Sequence, residues 1–496
     1  MEADMRISVD KDIKTPVYWQ IYEKIKEKII RGELTDGAVL PSEREMGRIL
    51  GVHRNTVVKA YGILKDEQLV DSRPGVGYTV TFPGEKEEEP RGVKGGSVNW
   101  SYLIKDDYLD MEKSFDNIFL RFARETNISF STGMPPQVYS ENEIADDIAA
   151  ILNEEERKPF FLSPYQGDMT LRRKIVAYLR TKGIKSDTDE VQVLSETNQA
   201  LDFLAAALLR TGDRVIIEEP VSPDVYRVLS LAGCTAITVP VDNDGMITDG
   251  LETLIRLHRP KFIYVNSSFH DPTGNILSLE RRKKLIEISD RYRLPIVEED
   301  AASELAYGSR GLPTLKSMDK NSNVIYIYSF SLTFIPGMSM AFVAAPETLI
   351  RSLSYMVSIR LMTLDWLTQK LLAKYLTDGT YEKKLKEIAK LNREKRDIMC
   401  ACLDTLRDIG LTYKKPEGGV YVWCRLPEGM RGRDVMTEAL RHGISLIPGD
   451  VFYPEHHGGK DCIRLNYSFE TKKRIESGMK ILIKIISDMY EEKTGK

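Results

Sequence analysis

Residues 81–101, TFPGEKEEEPRGVKGGSVNWS, mix charge, proline and glycine without any apolar period, and so read as a semi-flexible linker. A chain cut in this way folds as separate parts, here residues 1–80 and a much longer block behind the linker. The full 496 residues also exceed what one hydrophobic core ordinarily spans, about 250. Hydrophobic residues at 42% and charged residues at 29% exclude disordered, collagen-like and fibrous classes. Seventy basic against seventy-four acidic side chains give net −4, so any contact with nucleic acid has to come from a local patch.

The N-terminus has no apolar h-region, and no stretch reaches the roughly 18 apolar residues of a membrane span. A cytoplasmic protein without a membrane partner is expected. Cys234, Cys400, Cys402, Cys424 and Cys462 contain no CxxC pair, which argues for reduced thiols and against a structural metal site.

In the first block, Val17, Ile21, Ile25 and Ile29 recur every four residues and form the stripe of an amphipathic helix. Pro41 and Ser42, followed by Glu43 and Glu45, start a second helix, with Ser42 as cap and the acids complementing the macrodipole. It ends at Gly51. A short turn through His53 leads into RNTVVKAYGILKDE, whose apolar face is Val57, Val58, Tyr61 and Leu64. Two helices joined by a tight glycine turn match helix-turn-helix. LVDSRPGVGYTV at 69–80 then reads as a hairpin, or wing, around Arg73-Pro74-Gly75. Gly47 to Lys65 carries Arg48, Arg54, Lys59 and Lys65 with no acid, although residues 1–80 as a whole are neutral.

PSERE (41–45), LGVHRNTVVKAYGIL (50–64) and SRPGVGYTV (72–80) closely resemble the winged helix-turn-helix of GntR-family transcription regulators. The resemblance implies double-stranded operator DNA as partner, with Arg44, Arg54, Thr56 and Gly75 contacting it. The chemistry agrees: arginine can be bidentate to guanine or phosphate, Thr56 offers a hydroxyl near the helix start, and Gly75 lets backbone approach. Ser42, Asn55, Lys59 and Arg73 complete the expected DNA-facing set. His53 stands where the family usually has serine.

Behind the linker (81–124, with an amphipathic helix possible from Ile104 to Arg124), β-branched runs such as RVIIEEP, KFIYVN, LPIVEED and NVIYIYSF alternate with helical segments. That alternation implies an α/β fold with a mainly parallel sheet at 125–355, followed by a smaller α+β part at 356–496. YQGDMTLRRKIVAYL, SETNQALDFL, DPTG, VEEDAASEL, SFSLTFIPGMSMAF, PEGGVYVW and CIRLNYSF, in that order, resemble the fold-type I aminotransferase domain. Behind a GntR module, such a domain defines the MocR group of regulators.

The resemblance implies a pyridoxal phosphate (PLP) site, and its residues are altered one after another. Leu332 stands where the family's Ser-x-Ser-Lys motif places the Schiff-base lysine, and leucine has no nucleophile. Ser339 replaces the phosphate arginine. Ser195-Glu196-Thr197 replaces Ser-Gly-Ala in the phosphate turn and sets a carboxylate where a dianion would sit. Glu299 is the acid facing the pyridine nitrogen, Ala301 replaces a tyrosine, Asp271 replaces the asparagine of Asn-Pro-Thr-Gly, and Ser222 replaces another tyrosine. Arg464 keeps the position of the substrate-carboxylate arginine.

These changes predict a pseudo-aminotransferase with no catalytic residue and no covalent cofactor, and they disfavour non-covalent PLP. The expected effector pocket comprises Ser195, Glu196, Asn266, Asp271, Glu299, Tyr328, Leu332 and Arg464, for a small carboxylate or an amine; His270 is expected to be a loop residue. The family also implies a head-to-tail homodimer. The alternatives are a PLP enzyme with a DNA-binding appendage, a regulator holding PLP non-covalently, and a ligand-free dimerisation scaffold.

Overall fold

The computed structural model describes residues 16–81, except 31–33, 36, 68 and 74–76, and residues 127–495, except 155–161, 309–310 and 455–456, together with Ile7 and Val9. The linker, its possible helix at 104–124 and the wing residue Gly75 therefore lie outside the described residues. Two compact units result, Met1–Leu103 and Ile104–Lys496.

The first unit holds α1 (Val17–Ile30), α2 (Glu43–Leu50), α3 (Arg54–Asp66) and an antiparallel pair, β1 (Val70–Arg73) with β2 (Gly77–Val80). Ile21, Ile25 and Ile29 of the α1 stripe close over Met46, Val57, Tyr61 and Leu64. Apolar burial of this kind, at about 25 cal/mol per Å², is what makes such a small block stable. Gly51 ends α2 in the left-handed region, φ 61°, where a side chain would be strained. Val58 departs from the sequence expectation: it is 36% exposed, while Ala60 takes a core place beside Val57. The reason is the helical period, which turns position 58 away from α1.

The second unit is built on an eight-stranded sheet: β4 (Val191–Leu194), β5 (Arg214–Glu219), β6 (Thr235–Asp242), β7 (Gly245–Met246), β8 (Ile263–Asn266), β9 (Ile296–Asp300), β10 (Val324–Ser329) and β11 (Ala341–Ala344). The spatial order is β4-β11-β10-β9-β8-β5-β6-β7. β10, β9, β8, β5 and β6 run parallel, while β11 is antiparallel to both its neighbours. Parallel strands covered by helices are buried on both faces, which is why β10 shows no polar alternation.

The smaller part carries β12 (Thr412–Tyr413), β13 (Tyr421–Arg425), β15 (Ile447–Pro448) and β16 (Cys462–Asn466), with a short parallel pair of β3 (Ile128–Ser129) and β14 (Ile444–Ser445) beside them. The boundary expected at 355 falls inside one continuous helix, Glu347–Arg360. Core packing explains the difference. The large core extends through Leu371, Tyr375 and Tyr381, whereas the second core begins at Met399 and reaches back to Phe130. Two halves of one helix cannot belong to different cores when Ile350, Leu353 and Val357 all face the first.

Candidate functional site

On the first unit, the helix-turn-helix is set by its caps. Ser42 Oγ accepts from the Glu45 N–H at 3.2 Å, and His53 Nδ1 accepts from the Asn55 N–H at 3.3 Å. The histidine ring nitrogen thus supplies the N-terminal cap of α3. Capping fixes the start of α3, where Arg54 and Asn55 are exposed and Thr56 is half-buried. Arg54 donates from Nε (3.0 Å) and Nη2 (2.7 Å) to one oxygen of Glu43, Oε2, an ion pair within the module that holds the guanidinium beside α2.

Arg44 is exposed on α2. Lys59 is also exposed, with its ammonium 3.7 Å from the centroid of the Tyr18 ring, and Lys65 Nζ donates to Ser72 Oγ at 2.7 Å. Val58, expected on the buried apolar face, is instead exposed on the same helix. Arg73 ends β1; its side chain and Gly75 are outside the described residues.

On the second unit, residues at or just beyond the carboxyl ends of β4, β5, β8, β9 and β10 converge, as open parallel sheets direct. They border a half-open cavity of about 210 Å³ lined by Glu196, Asn266, Asp271, Glu299 and Leu332, with Asp224, Ala301 and Tyr421. Leu332 is 8% exposed and packs with Phe269, Ala302, Leu305, Ile388 and Val420. Gly418 allows that cluster to close, because a Cβ there would collide with the Phe269 ring and the Leu305 carbonyl.

Glu196 caps the helix Thr197–Leu208, accepting from the Thr197 N–H at 3.2 Å. Its carboxylate also accepts from Ser329 Oγ at 3.3 Å and from the Ser339 hydroxyl. Glu299 lies beside Asn266 in the β8–β9 register and accepts from the Tyr264 hydroxyl. Burial, reinforced by the nearby Asp271, Asp224 and Asp300, pushes the Glu299 carboxyl up to about 7. Asn266 Oδ1 has no hydrogen-bond partner among the described residues.

Asp271 and Tyr421 also line an adjoining chamber of about 630 Å³, where Arg464, Arg227 and Arg474 appear. Arg464 Nη1 donates to Asp271 Oδ1 at 2.6 Å and Nη2 to the Ser131 carbonyl at 3.3 Å, with the guanidinium 4.1 Å from the Tyr421 ring centroid. Among the described residues, no lysine lines either space.

Two expected pocket residues sit elsewhere. Tyr328 lies in a buried aromatic cluster, its hydroxyl 3.1 Å from that of Tyr381 and its ring against Tyr178, Phe330 and Phe342. Its neighbour in the pattern, Tyr326, donates to Asp300 at 2.7 Å, so this stretch of β10 serves the polar core. Ser195 is exposed and does not line the cavity; its N–H donates to Gln199 Oε1 at 2.9 Å. His270 is buried and pushed down to about 3 by desolvation, so its ring is neutral; Nδ1 meets Thr273 Oγ1 at 2.8 Å. Sequence reading missed Asp224, which lines both spaces, and Ser329, which holds Glu196. Ser329 is a signal in plain view, the first serine of SFSL.

Residues 126–482 match the family described as aminotransferase class I and II, and residues 17–80 match the bacterial regulatory proteins of the gntR family. The uncharacterized HTH-type transcriptional regulator YdfD of Bacillus subtilis is 28% identical over 484 residues, 94% of this chain and 95% of that one. The probable rhizopine catabolism regulatory protein MocR of Rhizobium meliloti is 27% identical over 451 residues, 89% and 88% of the two chains. Among solved structures, LysN, the alpha-aminoadipate aminotransferase of Thermus thermophilus complexed with N-(5'-phosphopyridoxyl)-L-leucine, aligns with a TM-score of 0.73 at 28% identity. That alignment covers 79% of this chain and 99% of the enzyme.

Proposed function

This chain belongs to the aminotransferase class I and II family and joins a gntR-family helix-turn-helix to it, and we propose on that footing a transcription regulator whose aminotransferase-like domain senses without catalysing. No helix among the described residues is long and apolar enough to cross a membrane. The DNA-facing set is Ser42, Arg44, Arg54, Asn55, Thr56, Lys59, Arg73 and Gly75, with Val58 added from its exposure.

Family members of this fold bind PLP, and the residues here do not fit that group. Where the family lysine would supply an amine, Leu332 presents hydrocarbon packed against five other apolar side chains. The phosphate cup is filled by the Glu196 carboxylate. The buried Lys182 offers no substitute, being held by Glu304 at 2.7 Å and Asp300 at 3.5 Å and absent from the cavity wall. The observation that carries the non-catalytic reading is that, among the described residues, no lysine lines the cavity beside Leu332 or the chamber adjoining it.

What remains suits effector binding: a half-open volume with a few convergent polar groups and a buried arginine, accessible to a small carboxylate or amine. A homodimer presents two reading heads to two half-sites and so multiplies a modest single-module affinity. An apolar stripe on the helix Glu347–Arg360 and just beyond it, Tyr355, Ile359 and Met362, each more than 60% exposed, supports such an assembly. Selection of duplexes from a random pool by the full chain tests the proposal. A recurring two-half-site motif, lost with Arg54→Ala, is expected; enrichment of no sequence would overturn it.

A further inference from the structure

Both anion-binding stations around the cavity are already occupied by carboxylates of the chain itself. At the first, the start of the helix Thr197–Leu208 offers an N–H and two serine hydroxyls, from Ser329 and Ser339, converge on the same point; all three donate to Glu196. A helix start with convergent hydroxyls is a ready anion site, because unsatisfied N–H groups and the positive end of the dipole point at one spot. At the second, Arg464 donates to Asp271. The donors of an anion site therefore persist, while the anions they hold are covalently part of the protein.

We infer that Glu196 is a built-in anion that excludes phosphate-bearing ligands by occupancy, so that the effector of this domain is a small unphosphorylated molecule. The inference rests on the sensing role proposed above and narrows its ligand class. Three physical points support it. A carboxylate tethered at the helix cap is present at high effective concentration, so a free phosphate has to displace it rather than find an empty cup. Displacement would leave a second anion close to the first, with repulsion added to lost hydrogen bonds. The volume left between the two stations, about 210 Å³, suits a small molecule that does not reach into the cup.

Occupancy makes a sharper forecast than the mere loss of phosphate ligands, because the cup should reopen when its plug is removed. Inorganic phosphate, then PLP, is titrated into the full-length wild type, Glu196→Gly, Glu196→Gln and Glu196→Gly/Ser339→Ala, with calorimetry and thermal shift as readouts. The wild type and Glu196→Gln, whose amide fills the same volume, are expected to show no saturable phosphate binding below about 10 mM. Glu196→Gly is expected to bind at least about tenfold more tightly, and the added Ser339→Ala to cancel that gain. Glu196→Ser, which keeps a capping hydroxyl, gives the same comparison if glycine loosens the helix. Wild-type binding equal to that of the opened variants overturns the inference, as does a gain that survives Ser339→Ala. Duplex binding by the wild-type chain in the same samples reads the regulator proposal separately, since it does not depend on the state of the cup.

Discussion

Arg464 Nη1 donates to Asp271 Oδ1 across 2.6 Å, so a guanidinium in the wall of the larger chamber is neutralised from within the chain. The pair joins two segments far apart in sequence, β16 and the loop after β8, and Arg464 Nε has no hydrogen-bond partner among the described residues. Burial raises the Asp271 carboxyl while Arg464 opposes that shift.

Breaking this pair from one side is expected to cost more than removing it. Arg464→Ala, which leaves Asp271 alone, should destabilise the second unit by about 3 kcal/mol. The double variant Arg464→Ala/Asp271→Ala should lose less than the sum of the singles, with a coupling of about 1–3 kcal/mol in a denaturation cycle. Additive losses would show that the two side chains act independently.

On the DNA-binding unit, Arg44→Ala and Arg54→Ala should each weaken binding of a selected duplex by about 1–3 kcal/mol in anisotropy titrations. An arginine that contacts phosphate also lowers the salt slope by about one, whereas one that reads a base leaves that slope nearly intact. Glu43→Ala frees the Arg54 guanidinium from its intramodular partner and should strengthen non-specific binding, most visibly at low salt.

Glu299 provides a pH test. Its folded value, about 7, lies above the unfolded value, so between roughly pH 4.5 and 7 the folded state holds a proton that the unfolded chain has released. Stability contributed at low pH is therefore lost as pH rises through that window. Glu299→Gln, always neutral, should gain on the order of 3 kcal/mol relative to wild type on going from pH 4.5 to 8, read as a diverging melting temperature. A pH-independent difference would mean that Glu299 is ionised throughout.

Much of this was legible in the sequence because local rules and packing agreed. The stripe of Ile21, Ile25 and Ile29 and the Ser42 cap appear where spacing placed them, and the runs at 214–220 and 323–330 became β5 and β10. Tyr328 was misread because a strand buried on both faces gives no alternation to tell a cavity wall from the core. The break at 355 failed because a helix can continue past a change in composition if one core holds it. Which residues stand at the positions the resemblance assigns to phosphate could be read one by one, but the contacts they make could not. That Ser339 and Ser329 would turn their hydroxyls onto Glu196, and Arg464 its guanidinium onto Asp271, depends on contacts across more than 130 residues of sequence.

Restoring the lysine alone should not restore the cofactor. Leu332→Lys, incubated with PLP, treated with borohydride and analysed by mass, should carry the pyridoxyl adduct on a minor fraction of chains, because Glu196 still fills the cup. Adding Glu196→Gly and Ser339→Arg should label the introduced lysine in most of them. Full labelling of the single variant would show that the cup does not matter.

The most direct test of a non-catalytic sensing domain is the absorbance spectrum of the wild-type chain after incubation with PLP and exhaustive dialysis, followed by borohydride treatment. A spectrum indistinguishable from that of protein alone, with no mass increment on any lysine, is the expected result. A retained chromophore fixed by borohydride to one lysine would contradict it and establish a working amine elsewhere in the fold.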